Sequence, residues 1–416
     1  MDNAPLIQND AIVFGMLLAM LGFVFWGASR TGGFWKKFYG IVPSLLVCYF
    51  LPSLFSTAGI ISGDHSQLYT MAKNYLLPTA LVLLTLSIDF EGIKNLGPKA
   101  LIMFFTGTVG IVIGGPVAVL LFSYISPEVV GGTEAGEVWR GLTTVAGSWI
   151  GGGANQTAMK EVFEVDDGLF SAMVTVDVIV ANVWMACILF AAGRSKAIDR
   201  WNKADDSAID TLKEKVSAYQ AKIARMPTLT MTMILLAVGF SVTALSHLGG
   251  GFLGPWVIEN APVLEKYSLG SSFFWLIVLA TTGGLLLSLT RARDLEGEGA
   301  SRVGSVFIYI LVATIGMKMD LMAIFENPGL FLVGGVWIAF HAVLLIVVAW
   351  LIKAPVFFLA VGSQANVGGA ASAPIVAAAF HPSLAPVGVL LAVLGYALGT
   401  YGAWICGQLM RIVSGG

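Results

Sequence analysis

Apolar runs long enough, or nearly so, to cross a bilayer recur ten times along the chain, at about 11–28, 39–57, 75–90, 98–126, 168–193, 229–247, 271–290, 303–320, 329–352 and 385–410. A helical crossing of the hydrocarbon core takes roughly 20 apolar residues. Within that core each backbone N–H and C=O must find a partner inside the protein, so only helices and closed barrels span it. Runs of this length select helices, and the expected fold class is an all-α polytopic membrane protein. Composition agrees: 12% of the 416 residues are charged and 57% are hydrophobic, whereas soluble domains carry about 25% charge. A formal net charge of -2 gives no basic footprint for nucleic acid. The first ten residues, MDNAPLIQND, are acidic and polar, so the first run is expected to be a retained span and not a cleaved signal. The expected location is a cell's inner (plasma) membrane, crossed many times.

Two further and weaker runs, at about 139–163 and 354–380, contain the stretches Gly147–Met159 (GSWIGGGANQTAM) and Gly362–Ile375 (GSQANVGGAASAPI). Backbone this rich in Gly, Ser, Asn and Gln cannot form an unbroken helix against lipid. It is tolerated where it is buried in protein or lines a wet cavity. A pair of interrupted segments at matching places in two halves points to a transporter's binding site.

The halves match elsewhere. Ser87–Ala100 (SIDFEGIKNLGPKA) and Lys318–Leu330 (KMDLMAIFENPGL) each place an Asp, Asp89 or Asp320, at the end of an apolar run. An Ile and then an Asn with Pro and Gly follow in both. The expected organisation is a first membrane repeat (1–194), a cytoplasmic linker (195–227) and a second membrane repeat (228–416). In the linker Ile209, Leu212, Val216, Tyr219 and Ile223 recur at three- and four-residue steps, which predicts an amphipathic surface helix. Arg30, Lys36 and Lys37, Lys94 and Lys99, Arg194, Lys196 and Arg200, Arg291 and Arg293, and Lys353 mark cytoplasmic loops. Loops 127–138 and 248–265 read as external. All of these agree if the N-terminus is outside and each glycine-rich segment enters and leaves on one side. The repeats are then inverted, with about five spanning helices plus one broken or re-entrant segment each. If both segments cross fully, parity makes the repeats parallel instead.

A broken helix leaves unpaired N–H groups and carbonyls near the membrane midplane. Its N-terminal ends favour anionic groups, and its carbonyls and side-chain oxygens favour cations. The candidate solute ligands are therefore Ser148, Asn155, Gln156 and Thr157 in the first break and Ser363, Gln364, Asn366 and Ser372 in the second. The competing role for such small polar residues is close helix packing. Asp177 lies inside the apolar run MVTVDVIVANVWMACILF, where an ionisable group costs ~2.5–3.5 kcal/mol on insertion scales and is a functional candidate by default. The corresponding part of the second half has no acid. Asp177, Asn182 and Thr400 form the expected coupling-ion set, with Na⁺ near Asp177. The plainer alternative for Asp177 is a neutral carboxyl hydrogen-bonded to a neighbouring helix. His341 reads as a packed histidine donating to a carbonyl, and His65, His247 and His381 as residues of loops or helix ends. Cys48, Cys187 and Cys406 read as small core hydrophobes. No Walker A motif, HExxH or nucleophile elbow occurs, so neither an enzyme nor a cofactor is expected.

GSWIGGGANQTAM with VDVIVANVWM, and GSQANVGGAASAPIVAAA with the spacing of Val393–Thr400, resemble the YjcL-type family, domain of unknown function 819. More distantly the chain is similar to sodium-coupled glutamate and citrate carriers and bile-acid-type sodium symporters. That resemblance implies inverted repeats, broken core segments, an elevator-like motion of the core against a scaffold, and a homodimer. It places the core site around Asn155–Thr157 and Gln364–Asn366. The expected function is a secondary transporter of a small anionic or zwitterionic organic solute coupled to Na⁺ or H⁺. A cation/proton antiporter without organic solute is the alternative. A channel lacks a continuous polar face here, and an intramembrane enzyme lacks paired catalytic groups.

Overall fold

The computed structural model describes residues 4–132, 136–204, 209, 228–319, 322 and 325–415. Among them are helices and no strands. In chain order the helices are α1 (Asp10–Ala28), α2 (Gly33–Tyr39), α3 (Ser44–Thr57), α4 (Leu68–Met71), α5 (Leu77–Leu86), α6 (Phe90–Asn95), α7 (Pro98–Ile125), α8 (Pro127–Val130) and α9 (Val138–Val162). There follow α10 (Asp167–Ala192), α11 (Ser195–Asn202), α12 (Leu229–Asn260), α13 (Ser272–Ser288), α14 (Ala300–Gly316), α15 (Gly329–Leu351), α16 (Val356–Val367), α17 (Gly369–Phe380) and α18 (Ala385–Val413). Each of the ten apolar runs coincides with a helix. Among the described residues six helices are long and apolar enough to cross a membrane, and up to eight spans result if each of two sharply bent pairs counts as one. The chain is an all-α polytopic membrane protein.

Two expectations are corrected. Residues 248–265 are not a loop: α12 runs unbroken past Pro255 to Asn260, so His247 lies within a helix. Cys187 is exposed on the outer face of α10, unlike buried Cys48 and Cys406. Asp320, and residues 205–208 and 210–227 of the linker, lie outside the described residues; Ser195–Asn202 is helical. Asp89 caps α6, accepting from the Glu91 N–H at 3.1 Å, and pairs with Arg293 at 2.8 Å.

His247 has a specific structural task. Pro78 near the start of α5 has no N–H and crowds the carbonyl four residues back. The helix widens there into a π turn, Ala72–Leu76, between α4 and α5. A carbonyl released within a membrane protein needs another donor. His247 Nε2 sits 2.7 Å from the Asn74 oxygen.

Both glycine-rich segments are helical hairpins. In α9 the helical backbone fails at Gly151 (φ -138°, ψ 15°) and Gly152 (φ 72°, ψ -174°). Were the 25 residues of α9 straight, its ends would lie about 37 Å apart at ~1.5 Å per residue. Instead Arg140 Nη1 donates to the Phe163 carbonyl at 2.9 Å, and the Trp139 and Phe163 rings are 5.8 Å apart. The second hairpin consists of α16 and α17, reversing at Gly368 and Gly369 (φ +56°). Its base is closed likewise by aromatics, Phe357 and Phe380, with ring centroids 5.4 Å apart.

The hairpins enter from opposite ends of the 28-residue α7. Beside the first hairpin's base, just past the C-terminal end of α7, Val138 donates to the Gly131 carbonyl and Asn327 to that of Val129. At its N-terminal end, Lys99 donates to the Lys353 carbonyl next to the second hairpin's base. The tips meet at α18: a Cβ on Gly395 would lie 2.7 Å from the Ile150 carbonyl oxygen and 3.5 Å from that of Ala365. Gly399, one turn on, lets the Gly151 backbone approach. Such small residues four apart are the usual means of close helix contact in lipid.

The two arms of the first hairpin touch at Gly147, where a Cβ would stand 2.6 Å from the Asn155 carbonyl oxygen. Gly147→Ala should therefore cost ~1–3 kcal/mol, the usual penalty of overpacking. Gly153→Ala, whose Cβ would meet only Ile308 at 3.9 Å, serves as control. Thermal unfolding of the purified protein in detergent checks the pair, and equal melting temperatures would contradict the hairpin.

Candidate functional site

A cavity of about 480 Å³ opens beside the two tips. One wall is the first hairpin tip (Ser148, Gly152–Ala154), the second hairpin tip (Gln364, Val367–Ser372) and α10 at Asp177 and Asn182. The other is the α2–α3 turn, Leu84 of α5, and Ser305, Ile308 and Tyr309 of α14. Of the candidate residues, Ser148, Asp177, Asn182, Gln364 and Ser372 line it. Asn155, Gln156, Thr157, Ser363, Asn366 and Thr400 are buried but not among its lining residues.

The residues set back from the cavity hold the broken backbone together. Asn155 Nδ2 donates to the carbonyls of Gly151 (2.9 Å) and Tyr396 (3.1 Å), while its Oδ1 accepts from the Thr400 hydroxyl (2.7 Å). Asn366 repeats this pattern. Its Nδ2 donates to the carbonyls of Gly362 (3.0 Å) and Phe104 (3.0 Å), and its Oδ1 accepts from Thr108 (2.8 Å). In both cases the amide bonds the carbonyl four residues back in its own helix, plus a carbonyl and the threonine four residues on in a long neighbour. The asparagines nonetheless occupy different arms: Asn155 follows its break and Asn366 precedes its own. Thr157 donates to the Gly153 carbonyl at 3.0 Å, and Asn182 to that of Val178 at 2.6 Å. Thr400 is thus joined to Asn155, and its hydroxyl also lies 3.2 Å from that of Thr281.

His341 is fully buried, received by the glycine-lined face of α7 at Gly107 and Gly110. Its Nδ1 is 3.0 Å from the Gly107 carbonyl, which can only accept, so Nδ1 carries the proton. Nε2 therefore accepts from the Ser363 hydroxyl (2.8 Å), which in turn accepts from Trp184 Nε1 (2.8 Å). The three side chains satisfy one another.

Asp177 is 4% exposed and faces the cavity. Trp149 Nε1 donates to one carboxylate oxygen at 2.7 Å and Gln156 Nε2 to the other at 2.9 Å. Gln156 Oε1 accepts from the Tyr49 hydroxyl at 3.4 Å. The Ser148 side chain also hydrogen-bonds the carboxylate, whose two oxygens can accept about four hydrogen bonds in all. Among the described residues no three His, Cys, Asp or Glu side chains converge as metal ligands. A cation at Asp177 would complete its shell with amide, hydroxyl or carbonyl oxygens.

A second polar cluster escaped the sequence reading. At the first hairpin's base Lys160 pairs with Asp167 (2.7 Å) and Glu161 (3.5 Å), and Lys73 pairs with Glu161 (2.6 Å). Lys318 reaches Asp167 at 3.2 Å, and the Tyr69 hydroxyl donates to Glu161. This network ties the hairpin and α10 to α4, the π turn and the end of α14. The adjacent Lys160-Glu161 at the edge of an apolar run was the available signal. Trp149, Tyr49 and Trp184 had none, since aromatics are common in any membrane core.

A family model described as "Protein of unknown function (DUF819)" matches residues 15–413. The chain is also similar to a protein of Bacillus subtilis (strain 168) described as "Uncharacterized membrane protein YjcL". The two are 25% identical over 378 residues, which cover 88% of this chain and 89% of that one.

The asparagine clamps and the cavity groups should respond differently to truncation. Asn366→Ala removes the donor to two buried carbonyls and should cost about 1–3 kcal/mol. Gln364→Met, which removes an amide whose Oε1 has no partner, should cost less. Chemical or thermal denaturation of the two variants checks the order, and the reverse order would contradict the clamp.

Proposed function

The chain belongs to the DUF819 family, and we propose that it is a secondary active transporter of a small organic solute, coupled to Na⁺ or H⁺. The observation that carries the reading is the meeting of two hairpins, which enter from opposite ends of α7, beside one cavity that holds a buried carboxylate. Helices broken near the midplane serve this purpose in carriers, since their freed polar groups become ligands. The volume lies in the range of small-molecule sites, ~300–1,000 Å³. An inverted relation between the halves, with the basic loops on the cytoplasmic side, fits the opposed insertion.

In the proposed cycle the hairpins move with α7, α10, α15 and α18 as an elevator-like core against α1–α5 and α12–α14. The cavity lies on the border between these groups. The network around Lys160 would break and re-form as the core shifts, holding one end-state closed on that face. Homodimerisation would use the outer helices of the scaffold, and the inner (plasma) membrane is the proposed location. Asp177 would take the coupling ion. Its isolation among neutral groups also suits a cation/proton antiporter without organic solute, the second reading.

Asp177→Asn tests the assignment. The amide keeps one acceptor for Trp149, and Gln156 can turn its own amide to accept from the new N–H. Tyr49 then accepts from Gln156, so the network closes again and stability should change by less than ~1 kcal/mol. Ion-driven uptake in proteoliposomes should fall to background. Uptake at the unaltered rate would remove Asp177 from the coupling step, and solute-free Na⁺/H⁺ exchange by the unaltered protein would favour the antiporter.

A further inference from the structure

We infer that the cavity receives a protonated amine: the transported solute carries an organic ammonium group, bound between Asp177 and Gln364. This deepens the transporter reading and rests on it for the identity of the site. Two groups on one wall of the cavity are acceptors with capacity left over. Gln364 is 1% exposed, lines the cavity from the second hairpin, and donates through Nε2 to the Ser372 hydroxyl at 2.7 Å. Its Oε1 is buried without a hydrogen-bond partner. Buried polar atoms left bare are rare and costly, by ~1–3 kcal/mol in proteins, so an orphan acceptor just beneath a cavity wall, brought to it by rotation of its side chain, is an address for a donor. On α10, Asp177 lines the same cavity, where Trp149, Gln156 and Ser148 hydrogen-bond its carboxylate.

No opposing charge balances that carboxylate. Among the described residues lining the cavity there is no Lys, Arg or His, and Asp177 is the one acidic residue. The lysine nearest in sequence to the first hairpin tip, Lys160, is engaged at the hairpin's base, where it is paired with Asp167 and Glu161. A carboxylate solute would therefore enter a space already carrying a carboxylate and an orphan acceptor, with no cation to meet it. A protonated amine offers three donors and a positive charge, which answers both groups at once. Tyr39, Tyr309 and Tyr396 also line the cavity, and aromatic faces suit an organic cation. A space of about 480 Å³ exceeds what a bare ion fills. Of the two solute types expected from the sequence, the zwitterion meets this chemistry and the simple anion does not.

The test uses the full chain in lipid vesicles with three four-carbon probes: n-butylammonium, γ-aminobutyrate and butyrate, each in K⁺ and in Na⁺ buffer. Thermal unfolding reports binding. The expected result is stabilisation by the first two and not by butyrate. Gln364→Met should weaken both by about tenfold, the loss of one hydrogen bond to a charged group, and Asp177→Asn should abolish them. Stabilisation by butyrate alone, by none of the three, or equally in both variants overturns the ammonium site. Stabilisation by Na⁺ alone that butylammonium displaces assigns the site to the inorganic cation and overturns it too. Flux separates this claim from the transport reading. An ammonium probe that binds but is never carried across the vesicle membrane retires transport and leaves the site. Concentrative uptake of butyrate does the reverse.

Discussion

Backbone interrupted inside hydrocarbon must have its freed N–H and C=O groups answered, and in this protein two asparagine side chains supply much of the answer. Asn155 and Asn366 each bridge the helix they belong to and a long neighbour, α18 or α7, through one carboxamide. A carboxamide suits the task because it donates twice and accepts from the same planar end, matching a carbonyl, a second carbonyl and a hydroxyl. Without such closure a glycine-rich break at this depth would leave several orphan groups, each worth a substantial part of a domain's net stability. The hairpins, the tip-to-tip meeting and the cavity all follow from those two anchors.

That arrangement divides the polar residues near the breaks into two kinds. Groups whose hydrogen bonds are complete within the protein, such as Asn155, Asn366, Ser363 and His341, fix positions. Groups that face the cavity with capacity to spare, Asp177 and Gln364, have room for something that is not protein. Burial alone does not separate the kinds, because all six are nearly inaccessible. What separates them is the hydrogen-bonding capacity left unused.

Much of the fold was legible in the sequence because apolar run length is a direct consequence of bilayer thickness. The glycine-rich stretches were legible as breaks for the complementary reason. Their reversal into hairpins was argued from charge and loop parity, and the pairs Trp139–Phe163 and Phe357–Phe380 at their bases display it in space. The length of α12 was hidden, since Gly249–Gly251 reads as loop composition. In the structure Gly250 lets α12 lie against the backbone of Ser272 and Leu276 at the start of α13. The use of each amide was hidden as well. Nothing in GGGANQT or SQANVGG distinguishes an asparagine that clamps from a glutamine that faces a cavity; only long-range partners such as Tyr396, Phe104 and Asp177 decide it.

Gly395 touches the carbonyl ends of both hairpins' first arms, Ile150 and Ala365, from a single position on α18. One carbon atom added there would press on the Ile150 carbonyl at 2.7 Å and stand in ordinary contact with that of Ala365 at 3.5 Å, two groups that lie far apart in sequence. The tips consequently share a bearing surface: two hairpins lie against one position of α18, at a residue that has no side chain at all.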